Sequence, residues 1–121
     1  MNLPVYQLQA FASERFRGKP AAIGWLETDL SADMMQNIAR ENGLPATAFV
    51  RPFSERDDHF DIRWFTPKTE LPLCAHASLA AASVIFDHRQ PDLQHFVFEA
   101  PSVTVRTSRA ASGYISLRLP N

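Results

Sequence analysis

The stretch Thr69–Phe86, TELPLCAHASLAAASVIF, decides the fold. A helix beginning near Ala75 and running to about Asp87 would carry Leu79, Ala80, Ala81, Ala82, Val84, Ile85 and Phe86 around nearly its whole circumference. A helix that is apolar all round is expected to be buried all round. Its small alanines would let neighbouring backbone approach closely.

Strand-like segments flank this helix on both sides. In FDIRWF (60–65), Phe60, Ile62 and Trp64 share one face while Asp61 and Arg63 take the other. In YISLRL (114–119), Ile115, Leu117 and Leu119 alternate with Tyr114, Ser116 and Arg118. HFVFEA (95–100) and VTVRT (103–107) are separated by Pro101-Ser102, which suggests a hairpin. VYQLQAF, AAIGWL and ATAFV supply three more strands. A second helix is expected over Ala32–Asn42. Ser31 is its N-cap, Asp33 lies in its first turn, Leu30 and Met35 stand at staple positions, and Gly43 lies just past its end. Met35, Ile38 and Ala39 would form its buried stripe.

Strands in this order with two helices give α+β. The arrangement favoured is a curved, mostly antiparallel, barrel-like sheet wrapped around the 75–87 helix. An ordinary helix lying on one side of a sheet is the alternative.

At 121 residues the chain suits one domain, expected to span 1–121 as a single lobe. Lys and Arg total 12 against 13 Asp and Glu, with no basic run, so nucleic acid is not an expected partner. The longest apolar run, Leu79–Phe86, is too short to cross a bilayer, so no membrane partner is expected. The opening MNLPVYQLQAF does not read as a signal peptide, and a lone cysteine cannot form an internal disulfide. A cytoplasmic location is the expectation.

The chemistry-bearing residues are Cys74 and His76, at the start of the apolar helix. The first N–H groups of a helix carry partial positive charge, so the backbone at 75–77 could receive a carboxylate or phosphate. The same dipole favours a cysteine thiolate, and a histidine there could exchange a proton near neutral pH. Such an arrangement suits proton removal beside a carboxylate. Packing for the cysteine, and a boundary position for the histidine, is the plainer reading. A metal is not expected, because His59, His88 and His95 show no ligand spacing with Cys74 and His76.

Three segments carry a resemblance. FRGKPAAIGWL resembles a Phe-x-Gly-Asn-Pro-Ala-Ala-Val motif, and LSADMMQNIARENGLPATAFV resembles a helix followed by a Ser-Glu-Thr-Ala-Phe-Val strand. DIRWFTPKTELPLCAHASLAAASVIF resembles Arg-Trp-Phe-Thr-Pro and Leu-Cys-Gly-His-Ala-Thr-Leu-Ala-Ala-Ala motifs. All belong to the N-terminal half of the phenazine biosynthesis PhzF-like family, related to diaminopimelate epimerase. The resemblance implies two similar lobes, each a curved sheet around a central helix, with the site in the cleft between them. It implies an isomerase or epimerase that moves a proton on a small carboxylate-bearing molecule with no metal or organic cofactor.

By this resemblance His76 and Cys74 are the catalytic positions, and Ala75, Ala77 and Ser78 bind the substrate. The departures are equally specific. The family's acid falls in the Ser-Glu-Thr segment, which here reads Pro45-Ala46-Thr47. Ala75 replaces a glycine, and Lys19 replaces an asparagine. The family's second half, with its Gly-Asp-Pro-x-Thr-Gly-Ser-Ala motif, is not in the sequence. The expected partner is therefore a second copy in a homodimer, or a separate C-terminal lobe. A truncated member acting as a binding or interaction module is the alternative, and a cysteine-nucleophile hydrolase is a weaker third. Glu41 and Glu70 are the nearest carboxylates in sequence: Glu41 is expected on the exposed side of its helix, and Glu70, just before the Pro72 turn, could reach the cleft but is expected in a capping or surface role.

Overall fold

A computed structural model of the chain describes residues 5–9 and 20–119, with side chains from 21 to 119. The strands are β1 (Val5–Gln9), β2 (Pro20–Trp25), β3 (Ala46–Pro52), β4 (His59–Phe65), β5 (Glu70–Leu71), β6 (His95–Glu99), β7 (Thr104–Arg109) and β8 (Ile115–Arg118). The helices are α1 (Ala32–Asn42) and α2 (Ala75–Val84). The strands form one mixed sheet in the order β1-β2-β3-β4-β6-β7-β8, with β5 paired to β4. β2–β3 and β4–β6 run parallel; the other pairings are antiparallel.

Strand alternation gives the sheet two distinct faces. The inner face carries Ile23, Ala48, Val50, Phe60, Ile62, Trp64, Phe96, Phe98 and Val105, all buried with the apolar residues of α2. The aromatic rings of Phe60, Phe86, Phe96 and Phe98 meet edge-to-face or tilted at 4.9 to 6.5 Å. The outer face receives α1, whose Met35 and Ala39 bury against Leu26, Phe49 and Phe65. Helix α1 is set by its own residues. The Ser31 side chain accepts from the Met34 N–H, and Gly43 closes the far end at φ 68°, its N–H donating to the Ala39 carbonyl. Leu30 packs into the same cluster as Met35, as the staple requires.

Helix α2 sits inside the curl of the sheet, touching β1, β2, β3 and β8. The α+β class and the curved sheet around a central helix therefore stand. Two expectations need correction. The sheet is not closed: β1 and β8 are its ends and do not pair with each other. Nor is α2 buried all round. Ala75 and Asp87 are exposed, and His76, Leu79 and Ser83 are half-buried. Spaced by four, residues 75, 79, 83 and 87 form a stripe along the helix that the rest of the fold leaves only partly covered. The helix also ends differently from the expected run to Asp87. A π-helical turn over Ile85–Arg89 continues it, closed by the Gln90 N–H donating to the Ile85 carbonyl at 2.6 Å. The short β5 was not anticipated. The expected first strand extends to Phe11, and its last two residues lie outside the described part, as does Lys19. No described helix is long and apolar enough to cross a membrane.

Candidate functional site

The start of α2 is positioned by a short return off β4. After Phe65 the chain turns through Thr66–Thr69. The Thr66 Oγ1 accepts from the Lys68 and Thr69 N–H groups, and the Thr66 N–H donates to the Thr69 carbonyl. Glu70 and Leu71 then pair back onto Phe65 and Trp64. Arg63 clamps this return. Its Nε and Nη2 donate to the two Glu70 carboxylate oxygens at 2.7 Å each. The carboxylate beside it holds the Arg63 guanidinium above the ordinary arginine value. From β5 the chain passes Pro72 and Leu73 to Cys74, the N-cap of α2.

Cys74 does not cap the helix with its side chain. Its Sγ lies 3.3 Å from Nδ1 of His76 and 3.8 Å from Nε2. This contact serves either proton arrangement: a thiol donating to a neutral imidazole, or an imidazolium donating to a thiolate. One proton can therefore pass between sulfur and nitrogen with little movement of heavy atoms. Cys74 is 7% exposed, while His76 is half-buried and Ala75 is open to solvent. The Cys74–His76 pair thus stands at the boundary of the core.

The cysteine is held from below. The Ser78 N–H and Oγ both donate to the Cys74 carbonyl, at 3.0 and 2.8 Å. The Ser78 hydroxyl in turn accepts from Trp64 Nε1 at 2.9 Å. Trp64, expected only as a core residue, therefore also braces Ser78. The available signal was chemical: a buried indole N–H needs an acceptor, and Ser78 is a polar residue within the alanine run.

The remaining predicted positions separate by depth. The Ala75 N–H has no acceptor within its own helix and lies at the exposed tip. Ala77 and Ser78 are buried. Ala46 stands where the resemblance puts an acid. It is buried in the same inner cluster as Cys74 and Ala77. Glu70 is committed to Arg63, and Glu41 is exposed on α1, the helix of the outer face. Among the described residues no group of three or more His, Cys, Asp or Glu could hold a metal ion.

Comparison with known proteins places this geometry among relatives. The family described as phenazine biosynthesis-like protein (PhzC-PhzF) matches residues 8–120. The chain is 42% identical over 120 residues to the phenazine biosynthesis-like domain-containing protein of Pongo abelii, covering 95% of this chain and 42% of that one. It is 40% identical over 101 residues to an uncharacterized isomerase of Halalkalibacterium halodurans, covering 84% of this chain and 35% of the other. The crystal structure of a phenazine biosynthesis protein of the PhzF family from Enterococcus faecalis superposes with a TM-score of 0.82 at 39% identity, over 92% of this chain and 42% of that one. The chain thus spans about two fifths of the length of such relatives.

Proposed function

Because the chain belongs to the phenazine biosynthesis-like family, we propose that it forms the N-terminal lobe of an isomerase- or epimerase-type protein that moves a proton on a small carboxylate-bearing metabolite. The observation that carries this reading is the 3.3 Å contact between Cys74 Sγ and His76 Nδ1 at the solvent-facing start of α2. His76 carries the proton, and Cys74 tunes it or relays it. The substrate carboxylate docks at the exposed Ala75 N–H, in the positive end of the helix dipole. Ala77 and Ser78 act on it from beneath, through that dipole and through the Ser78 tether on Cys74. The family's relationship to enzymes working without metal or organic cofactor supports a reaction that needs neither. The opposing wall of the cleft comes from a second copy of the chain or from a separate C-terminal lobe.

The buried Ala46 favours a second reading. Alanine cannot carry a proton, so the lobe would bind a carboxylate without turning it over. One experiment separates the two. The full chain, alone and mixed with the C-terminal lobe of a full-length relative, is incubated in D₂O with a panel of small amino- and hydroxy-carboxylates. Deuterium entering a substrate C–H position, and lost with His76→Ala, supports proton transfer. Wash-in unchanged by His76→Ala removes His76 from the mechanism. Thermal stabilisation by a carboxylate without wash-in supports the binding module; saturation at a hundredfold over Kd adds about 2.7 kcal/mol.

A further inference from the structure

The outer face of the sheet, opposite α2, carries charged side chains in rows across the strands. One row runs Arg51, Asp61, Glu99, Thr104 through successive strand partners. Its charges are satisfied: Arg51 donates to Asp61 at 3.1 Å, and Thr104 Oγ1 donates to Glu99 at 2.8 Å. The next row runs His59, Val97, Arg106, Arg118. Here two arginines are direct cross-strand partners on β7 and β8, a placement that normally costs stability. Both are exposed, and neither forms an ion pair with a described residue.

These side chains line a groove of about 430 Å³, together with Arg56, Asp58, His59 and His95. Asp58 is the only carboxylate among its lining residues, and it is shared between Arg56 at 3.4 Å and His59 at 3.0 Å. A chain of net charge −1 therefore concentrates three arginines and two histidines on one patch against a single acid. Each arginine carries a planar guanidinium fork with a fixed set of N–H donors, and the two stand opposite each other on neighbouring strands. That geometry matches the oxygens of a phosphate group better than a point charge does.

We propose that this groove binds the phosphate group of a small molecule, with Arg106 and Arg118 as the principal ligands and Arg56 at the rim. The bound dianion removes the repulsion between the two cross-strand arginines. The site lies on the face of the sheet away from the Cys74–His76 pair and does not depend on the proton-transfer reading.

The test is calorimetric titration of the full chain with inorganic phosphate, glycerol phosphate and pyrophosphate, at ionic strength held constant with chloride. Saturable binding is expected, weakened about tenfold or more by Arg118→Gln and by Arg106→Gln, and unchanged by Arg40→Gln on α1. Tighter binding of glycerol phosphate than of inorganic phosphate identifies an ester as the natural form; the reverse identifies the free ion. Both glutamine variants should melt no lower than the parent chain in low salt, since each relieves a like-charge pair. Should either fail to fold, Arg118→Lys keeps the charge, loses the fork and is expected to bind severalfold more weakly. Absence of saturable binding, or equal affinity in the arginine variants, overturns the proposal. Displacement of phosphate by a poly-glutamate peptide that binds more tightly also overturns it, and makes the groove a docking face for an acidic protein.

Discussion

Ser78 and Thr107 show two opposite fates of a buried hydroxyl. The Ser78 Oγ has both a donor and an acceptor partner, Trp64 Nε1 and the Cys74 carbonyl. Thr107 is 2% exposed on the inner face of β7, and its Oγ1 has no partner among the described residues. A buried polar group without a partner loses its hydration and gains nothing. Thr107→Val keeps the shape and removes the hydroxyl, so it is expected to stabilise the fold by about 1 kcal/mol. Ser78→Ala leaves a buried indole N–H without its acceptor and is expected to cost about 1–3 kcal/mol. Urea unfolding of the two variants checks both signs; loss of stability in Thr107→Val would mean that its hydroxyl is satisfied. Asp58 offers a test in pH. The hydrogen bond from His59 holds its carboxyl below the ordinary aspartate value. A depressed folded pKa contributes stability above the unfolded value, and that contribution fades as pH falls through the folded one. Carbon-detected titration should place Asp58 below a free aspartate, and His59→Phe should return it upward. The sequence shows the Cys74–His76 pair by spacing alone. It cannot show that Ser78 faces inward, because that depends on Trp64 arriving from a strand paired elsewhere.

Helix α1 was legible to the residue, because its cap, staple and terminal glycine are all local. Helix α2 was legible in position and in its buried core, but not in its open side. Composition reports which side chains are apolar. It does not report how far a sheet curls. Five residues at Ile85–Arg89 widen into a π turn, and β5 forms from two residues, for which alternation gives no signal. The difference between the closed and open sides of α2 is measurable. Ala81 is sealed against the sheet, so Ala81→Leu overpacks it and should cost about 1–3 kcal/mol. Leu79 lies on the open stripe, so Leu79→Ala should cost less than about 2 kcal/mol, the lower limit for a fully buried leucine. Both are read from denaturant midpoints at constant m-value. A larger loss at Leu79 than at Ala81 would mean that the helix is turned the other way in its curl.

The open stripe and the site lie at the same place in the whole molecule. Ala75 and His76 begin the stripe, and Leu79, Ser83 and Asp87 continue it. Among the described residues the large apolar side chains left exposed are Met34 on α1 and Tyr114 and Leu119 at the two ends of β8. Two of these three flank an end strand that touches α2. A surface that joins a partly apolar helix face to a free strand edge suits a partner better than it suits water. A proton-transfer site needs a second wall to exclude solvent, so the proposed opposing lobe should cover both the stripe and the helix tip. Sedimentation of the chain at high micromolar concentration is expected to give a dimer, and Leu79→Lys is expected to disperse it without loss of helical signal. If a separate C-terminal lobe is the true partner, adding the corresponding half of a longer relative should bind in place of the second copy and protect Cys74 from iodoacetamide. A chain that stays monomeric and ignores that half would leave the helix tip facing solvent, and the proton-transfer reading would yield to the carboxylate-binding one.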